Sequence, residues 1–290
     1  MEPLLVTNDL NKSYSDFRLS GISMEIHPGS IVGIFGPNGA GKTTLVKLLA
    51  GQISADSGAL LVFGSAYAER EKEIKDRIGY APQEPPYFPD RTAEYLGRFA
   101  SRFYSRWDGG RFSRLLNRFH ISPQKKFRHL SGGQKTLFSL ALALSHQPDL
   151  LLLDEPAAGL DDAHRRFLLD TLRDFVSGGD RAAVVCSHVS EGLDEVSERV
   201  LILHHGRMIL DSDKEELLER WKRVDFRDNA LDPALVASLA GLRRHPFGNS
   251  GLCSDFPALH EKIACGLAAG DVKVENARLS DVLIHLTQGE

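Results

Sequence analysis

The segment Gly36-Pro37-Asn38-Gly39-Ala40-Gly41-Lys42-Thr43-Thr44 constrains this chain more than any other feature, because it satisfies the pattern G-x-x-x-x-G-K-[ST] in full. It follows the apolar run SIVGIFG and precedes a stretch of helical spacing from Lys42 to Ala50. Strand, glycine-rich loop and helix make the first βα unit of a nucleotide-binding sheet. Glycines let backbone N–H groups turn inward onto phosphate oxygens. The start of the helix adds partial positive charge. In such a loop Lys42 reaches the β- and γ-phosphates, and the Thr43 hydroxyl ligates Mg²⁺.

A second signal supplies the acids. In Asp149-Leu-Leu-Leu-Leu-Asp154-Glu155 an apolar strand delivers Asp154 to its C-terminal end, where a carboxylate holds Mg²⁺ through water. Glu155 follows at once, on the γ-phosphate side, as the general base for an attacking water. A third signal, Leu130-Ser131-Gly132-Gly133-Gln134, precedes the apolar helix TLFSLALAL. Ser131 is its expected N-cap, and the two glycines leave backbone N–H groups bare, which makes a second phosphate-binding end.

Around these motifs the pattern alternates. LLVTNDL, GALLVFG and RIGYAPQ are strand candidates. From about Thr92 to Ser145 the spacing is helical, with Tyr95, Leu96, Phe99 and Phe103 recurring on one stripe and Phe112, Leu115, Leu116 and Phe119 on another. DLLLLDEP and AAVVCSH are all-apolar, as buried parallel strands are, with a helix from about Asp161 to Val176 between them. RVLILHHGRMIL predicts a hairpin around His205-Gly206. After about Lys214 the character shifts. ELLERWKRV is a charged amphipathic helix or connector, LDPALVASL, PALHEKIACGLAAG and LSDVLIHLT are helical, and DVKVEN is a strand candidate. The expected division is therefore residues 1–214 and a small α+β appendage at 215–290.

Composition closes other routes. At 42% hydrophobic and 26% charged the 290-residue chain is an ordinary globular protein, and its formal charge of −4 argues against bulk nucleic acid as the main partner. Cys186, Cys253 and Cys265 form no CxxC pair or zinc spacing and are expected as buried or idle thiols of a reducing compartment. MEPLLVTNDL lacks a signal-peptide pattern, and runs such as Leu150 to Leu153 fall far short of the ~20 residues of a membrane helix. If the chain acts on a membrane, another chain must supply the passage.

GPNGAGKTT and LSGGQ together, in this order, make residues 3 to 212 similar to the nucleotide-binding domains of ABC transporters. The resemblance implies an α/β P-loop NTPase: a RecA-like core, an antiparallel β subdomain and a helical subdomain at about 84–145 carrying the signature. It implies ATP and Mg²⁺ as ligands. Tyr14 in KSYSDF then resembles the aromatic that stacks on adenine, Gln83 the Q-loop glutamine that touches Mg²⁺ and the attacking water, and His188 the switch histidine at the γ-phosphate. Gly159-Leu160-Asp161 resembles the D-loop. Each ATP would lie between the lysine loop of one chain and Ser131, Gly132 and Gly133 of another, in a homodimer or a heterodimer with a paralogue. A transmembrane permease would dock beside Gln83, on an exposed patch of Pro85, Pro86, Tyr87 and Phe88 and the helices from Thr92 onward. The chain would sit peripherally at the cytoplasmic face of the inner membrane.

Two departures stand out. Ala158 replaces the usual D-loop serine, and Lys135-Thr136 follows the signature where an arginine is frequent. The stretch from YSRWDGGRF to LLLLDEP and the closing ENARLSDVLIHLT are similar to bacterial exporter-type ATPases. Soluble relatives that act on ribosomes or DNA usually carry two such domains or a long coiled-coil insertion, which this chain does not show. A non-catalytic nucleotide sensor is disfavoured by the presence of Glu155 and His188.

Overall fold

Three apolar runs set the centre of the fold. Ile31–Phe35, Leu150–Asp154 and Ala182–Ser187 are buried at every position, as strands covered on both faces must be. The computed structural model describes residues 2–188, 192–246 and 248–288 and divides into two compact units between Leu210 and Asp211. Up to that division, which falls within the last strand of the run, the elements are β1 (Leu5–Ser13), β2 (Arg18–Ile26), β3 (Ile31–Phe35), α1 (Lys42–Leu49), β4 (Ser57–Val62), α2 (Tyr67–Arg77), β5 (Ile78–Ala81) and α3 (Ala93–Ala100). Then come α4 (Gly109–Arg118), α5 (Gly132–Ser145), β6 (Leu150–Asp154), α6 (Asp162–Val176), β7 (Ala182–Ser187), α7 (Leu193–Val196), β8 (Arg199–His204) and β9 (Arg207–Asp213).

The main sheet runs β5-β6-β7-β3-β8-β9, with parallel pairing from β5 through β8. Phe35 lies opposite Ser187, and Asp154 opposite Cys186. The C-terminal ends of β3, β7 and β6 therefore open on one edge, where parallel α/β sheets bind ligands. Helix α1 packs on β6 and β7, and α6 on β7. The β8–β9 turn is the expected hairpin, with His205 at φ 44° and Gly206 at φ 73°, both left-handed as a two-residue type I′ turn requires.

A second, antiparallel sheet has the order β2-β1-β4. Strand β2 escaped the sequence reading because a register shift at Ser20-Gly21 sets its inward residues Leu19 and Ile22 three apart and breaks the alternation. Its Leu19, Ile22, Met24 and Ile26 point into the core.

The helical part contains two surprises. Phe112, Leu115, Leu116 and Phe119 of α4 are buried as expected. On α3 only Ala93, Leu96 and Gly97 face inward, whereas Tyr95 is 41%, Phe99 38% and Phe103 65% exposed. The helix ends at Ala100, so Phe103 lies beyond it. The aromatic stripe is thus a surface, with Phe88, 53% exposed, meeting Phe99 at 5.7 Å and Phe99 meeting Phe103 at 5.2 Å. Tyr87 corrects the expected docking patch in the opposite sense. Its ring packs edge-on to Phe127 at 5.3 Å and Phe138 at 5.6 Å, and burial pushes its hydroxyl up to about 12 while Ser139 hydrogen-bonds it. Tyr87 is half-buried against the helical part, because Phe127 and Phe138 offer its ring an aromatic slot.

The second unit contains α8 (Lys214–Arg220), β10 (Lys222–Phe226), α9 (Pro233–Ser238), β11 (Ala240–His245), β12 (Gly248–Cys253), α10 (Phe256–Ala269), β13 (Val272–Asn276) and α11 (Leu279–Gln288). ELLERWKRV is neither one helix nor a connector: it breaks at Trp221 into α8 and β10. Strands β11 and β12 also escaped the sequence reading, since AGLRRH is almost wholly exposed and GNSGLC is rich in small residues. The sheet order β11-β12-β10-β13, antiparallel throughout, with α9 and α10 as its crossovers, is the split β-α-β-β-α-β arrangement. Its core gathers Val224, Phe226, Leu259, Ile263 and Val272. Cys186 and Cys253 are buried, whereas Cys265 is exposed.

Candidate active site

The loop after β3 is held tight by close packing. A Cβ on Gly36 would fall 2.1 Å from the Leu203 carbonyl oxygen, and one on Gly41, at φ 106°, would fall 2.6 Å from the Phe17 ring. Only glycine fits either place. Gly41 offers α1 no side-chain cap, so the first amides of that helix stay open to an anion.

Lys42 is buried at 6% exposure. Its ammonium donates to the carbonyls of Gly36 at 2.8 Å and Pro37 at 3.1 Å, and it pairs with Glu155 Oε1 at 3.3 Å. Glu155 leaves β6 at φ 51°, a left-handed conformation that costs a non-glycine residue about 1–3 kcal/mol and recurs at functional sites. Its amide donates to the Cys186 carbonyl at 2.8 Å. Its Oε2 accepts from Ser187 Oγ at 3.2 Å and the His188 amide at 3.2 Å, and lies 2.7 Å from His188 Nδ1. Asp154, 2% exposed, accepts from Thr43 Oγ1 at 3.2 Å. Burial pushes its carboxyl up, opposed by the Thr43 hydrogen bond and reinforced by Glu155. Burial also holds the Cys186 thiol well above its usual range, so it stays protonated.

A cavity of about 390 Å³ collects Tyr14, Asn38, Lys42, Thr43, Gln83 and Glu155. These residues come from four separate stretches of chain. Tyr14 stands half exposed at 49%. Phe17 lines the same cavity and, with Ser187, is a member the sequence reading missed; the only signal for either was its place beside Tyr14 or His188.

The signature lies elsewhere. Ser131, Gly132, Gly133 and Gln134 line no part of this cavity. Ser131 Oγ accepts from the Gln134 amide at 3.2 Å, as the predicted N-cap, and the Gln134 side chain returns to Ser131 N to close a capping box. Gln134 also accepts from Lys125 at 3.0 Å and donates to the His120 carbonyl at 3.1 Å, so its amide holds the helix end in place. A Cβ on Gly132 would meet nothing within 4 Å, while one on Gly133 would press the His164 ring at 3.1 Å. Asp161 caps α6, accepting from the His164 amide at 2.8 Å. Lys135, where an arginine is frequent, sits over the Phe127 ring at 5.6 Å.

Such a phosphate loop after β3, with an acid pair at the end of β6 and a capped glycine helix end set apart, defines an ABC-type ATPase. Residues 19–158 match the ABC transporter family. The chain is 33% identical over 208 residues to the ABC transporter ATP-binding protein YtrB of Bacillus subtilis, covering 72% of this chain and 71% of that one. It is 30% identical over 225 residues to the Nod factor export ATP-binding protein I of Cupriavidus metallidurans, covering 76% and 74%. The solved ATP-binding subunit of an ABC transporter superposes with a TM-score of 0.68 at 24% identity, over 74% of this chain and 92% of that one, which shows the shared fold. The chain belongs to the ABC transporter ATP-binding family. It is the subunit that binds and hydrolyses ATP for a separate transmembrane permease. Among the described residues no helix is long and apolar enough to cross a membrane.

Proposed function

We infer that the working ATPase is a head-to-tail dimer in which each ATP lies between the Lys42 loop of one chain and the Ser131 helix end of the other. One observation carries this reading: a single chain has two helix N-termini suited to phosphate, and they share no cavity. Tyr14, at the cavity mouth, stacks on the adenine. Gly36 to Thr44 wrap the phosphates, and Lys42 gives up its contacts with Gly36, Pro37 and Glu155 to reach the β- and γ-oxygens. Ser131, Gly132 and Gly133 of the second chain cover the γ-phosphate. Gln134 and Asp161 keep their ends of α5 and α6 in position for that contact.

The residues beside Lys42 fit Mg²⁺. Thr43 and Asp154 offer hard oxygen ligands in mutual contact, with Gln83 on the same cavity wall. No cluster of three or more His, Cys, Asp or Glu among the described residues would cage a metal alone, as suits an ion held largely by phosphate and water. When bound, Mg²⁺ offsets charge on the phosphates. Glu155 takes a proton from water as its oxygen forms the new bond to the γ-phosphorus, and the bond to the bridging oxygen breaks to release ADP. His188 orients Glu155 and the departing γ-phosphate. Loss of the bridging γ-phosphate then reopens the dimer.

Coupling runs through the exposed aromatics Phe88, Phe99 and Phe103, which suit the apolar face of a permease helix. The Nod factor export relative supports outward transport, and the chain then works from a peripheral position at the cytoplasmic face of the inner membrane. Size-exclusion mass of the Glu155→Gln variant with and without ATP–Mg²⁺ tests the dimer. A shift from monomer to dimer with ATP alone supports a homodimeric sandwich. A monomer under both conditions, in a variant that still binds ATP, rejects it.

A further inference from the structure

The second unit carries a basic cavity that ATP hydrolysis does not use. In β10, Val224 faces the core, so Arg223 and Asp225 face the opposite side of the sheet. Arg223 pairs across with Leu252 and Glu275, and Asp225 with Ser250 and Lys273. Ser250 also pairs with Arg243 of β11. Charged residues of β10, β11 and β13, with Ser250 and Leu252 of β12, thus share the face turned away from the core. Arg278, Asp281 and His285, at helical i, i+3 and i+7 positions around α11, border it from the side.

The face holds a cavity of about 300 Å³ between the sheet and α11. It continues into a neighbouring one of about 460 Å³ through Arg223, Arg243 and Ser250. Its charge is not a by-product of composition: residues 211–290 contain 10 Lys and Arg against 14 Asp and Glu, yet three arginines and one carboxylate, Asp281, line the smaller cavity. Arg223 is already paired with Asp225 at 3.1 Å. Arg243 and Arg278 close no ion pair among the described residues, although Arg278 helps hold the Glu275 carboxyl low, behind the larger effect of Lys273. Leu252 and Ile284 give the cavity an apolar wall.

We propose that this cavity binds a small amphiphilic anion, a carboxylate or phosphate head on a short apolar body. The guanidinium forks of Arg243 and Arg278 match a planar pair of oxygens, and the body lies along Leu252 and Ile284. The volume is at the lower end for small-ligand pockets, and the acidic remainder of the unit repels an extended polyanion. Bound there, the anion ties α11 to the sheet.

Trp221 reports on the site, since its ring lies 5.5 Å from that of His285. Replacing Trp107, the other of the two tryptophans, by Phe leaves Trp221 as sole fluorophore in the full chain. Decanoate is titrated with saturating ADP present, beside decanol, acetate and phosphatidylglycerol vesicles. The expected result is a saturable Trp221 change with decanoate, weakened about tenfold to a hundredfold by Arg243→Gln with Arg278→Gln. Ile284→Ser, at a 46% exposed position, weakens decanoate but not acetate. ATP affinity stays unchanged in both variants, which separates this site from the ATPase site. Equal affinity in the arginine variants, equal binding of decanol, or a response to vesicles without one to decanoate each overturns the proposal.

Discussion

Glu155→Gln should make this protein bind ATP more tightly while nearly abolishing hydrolysis. Lys42 Nζ lies 3.3 Å from Glu155 Oε1, with both side chains about 6% exposed. At an effective dielectric constant of about 20, two unit charges at that distance attract by roughly 5 kcal/mol. Desolvation of the two buried ions takes back most of this, leaving about 1–2 kcal/mol with which Glu155 competes against an arriving γ-phosphate for Lys42. Glutamine preserves the shape and removes the competing charge. ATP–Mg²⁺ affinity should rise about tenfold, each 1.4 kcal/mol being a factor of ten, and turnover should fall by about 10² to 10⁴ with the general base gone. ADP, which lacks the γ-phosphate, should gain less. A fluorescent nucleotide titration at protein concentrations below dimerisation, with phosphate release measured in parallel, reads both quantities. An unchanged or weaker ATP affinity in a folded variant would refute the competition argument.

His146 makes stability depend on pH. It is fully buried, stacked on Tyr104 at 3.8 Å, with Nε2 on the Ile78 carbonyl at 3.0 Å, and burial lowers it from 6.5 to about 4. Below pH 6.5 the unfolded chain takes up a proton that the folded chain refuses until about pH 4. Stability should therefore fall by about 2 kcal/mol between pH 8 and pH 5, and His146→Phe should flatten that slope in urea titrations. Ser131→Ala removes the cap of α5 and should cost about 1 kcal/mol, with ATPase activity lost more than monomer ATP affinity. Phe99→Glu with Phe103→Glu should abolish co-purification with the permease while ATP binding persists. Tyr87→Ala should instead lower thermal stability, by about 3 kcal/mol, because its ring fills the aromatic core of the helical part.

The chemistry of this chain was legible early because its motifs are local. The spacing from Gly36 to Lys42 forces a loop that grips phosphate, and the apolar strands before Asp154 and His188 deliver those residues to strand ends whatever else the chain does. The cap at Ser131 was equally readable, since Gln134 stands at the position that closes a capping box. What sequence spacing hid is contact between distant segments. Nothing local says that Phe17 underlies Gly41 or that Ser187 reaches Glu155; the first brings the β1–β2 loop against the phosphate loop, and the second follows from β6 and β7 lying side by side. Strands β11 and β12 were hidden because their exposed or small residues draw stability from strand pairing, β12 with β10 and β11 with β12, and not from a period of their own.

The sequence by itself determined that the chain grips a nucleoside triphosphate and belongs with ABC transporter ATPases, because backbone amides, a lysine and two carboxylates act through short-range chemistry written in consecutive residues. Tertiary structure alone decided that Lys42 rests on Glu155, that Tyr87 packs on Phe127 and Phe138 while Phe99 and Phe103 face solvent, and that three arginines from separate elements of the last 80 residues converge on one cavity. Each of those is a matter of which surfaces meet, and burial is a property of the packed whole.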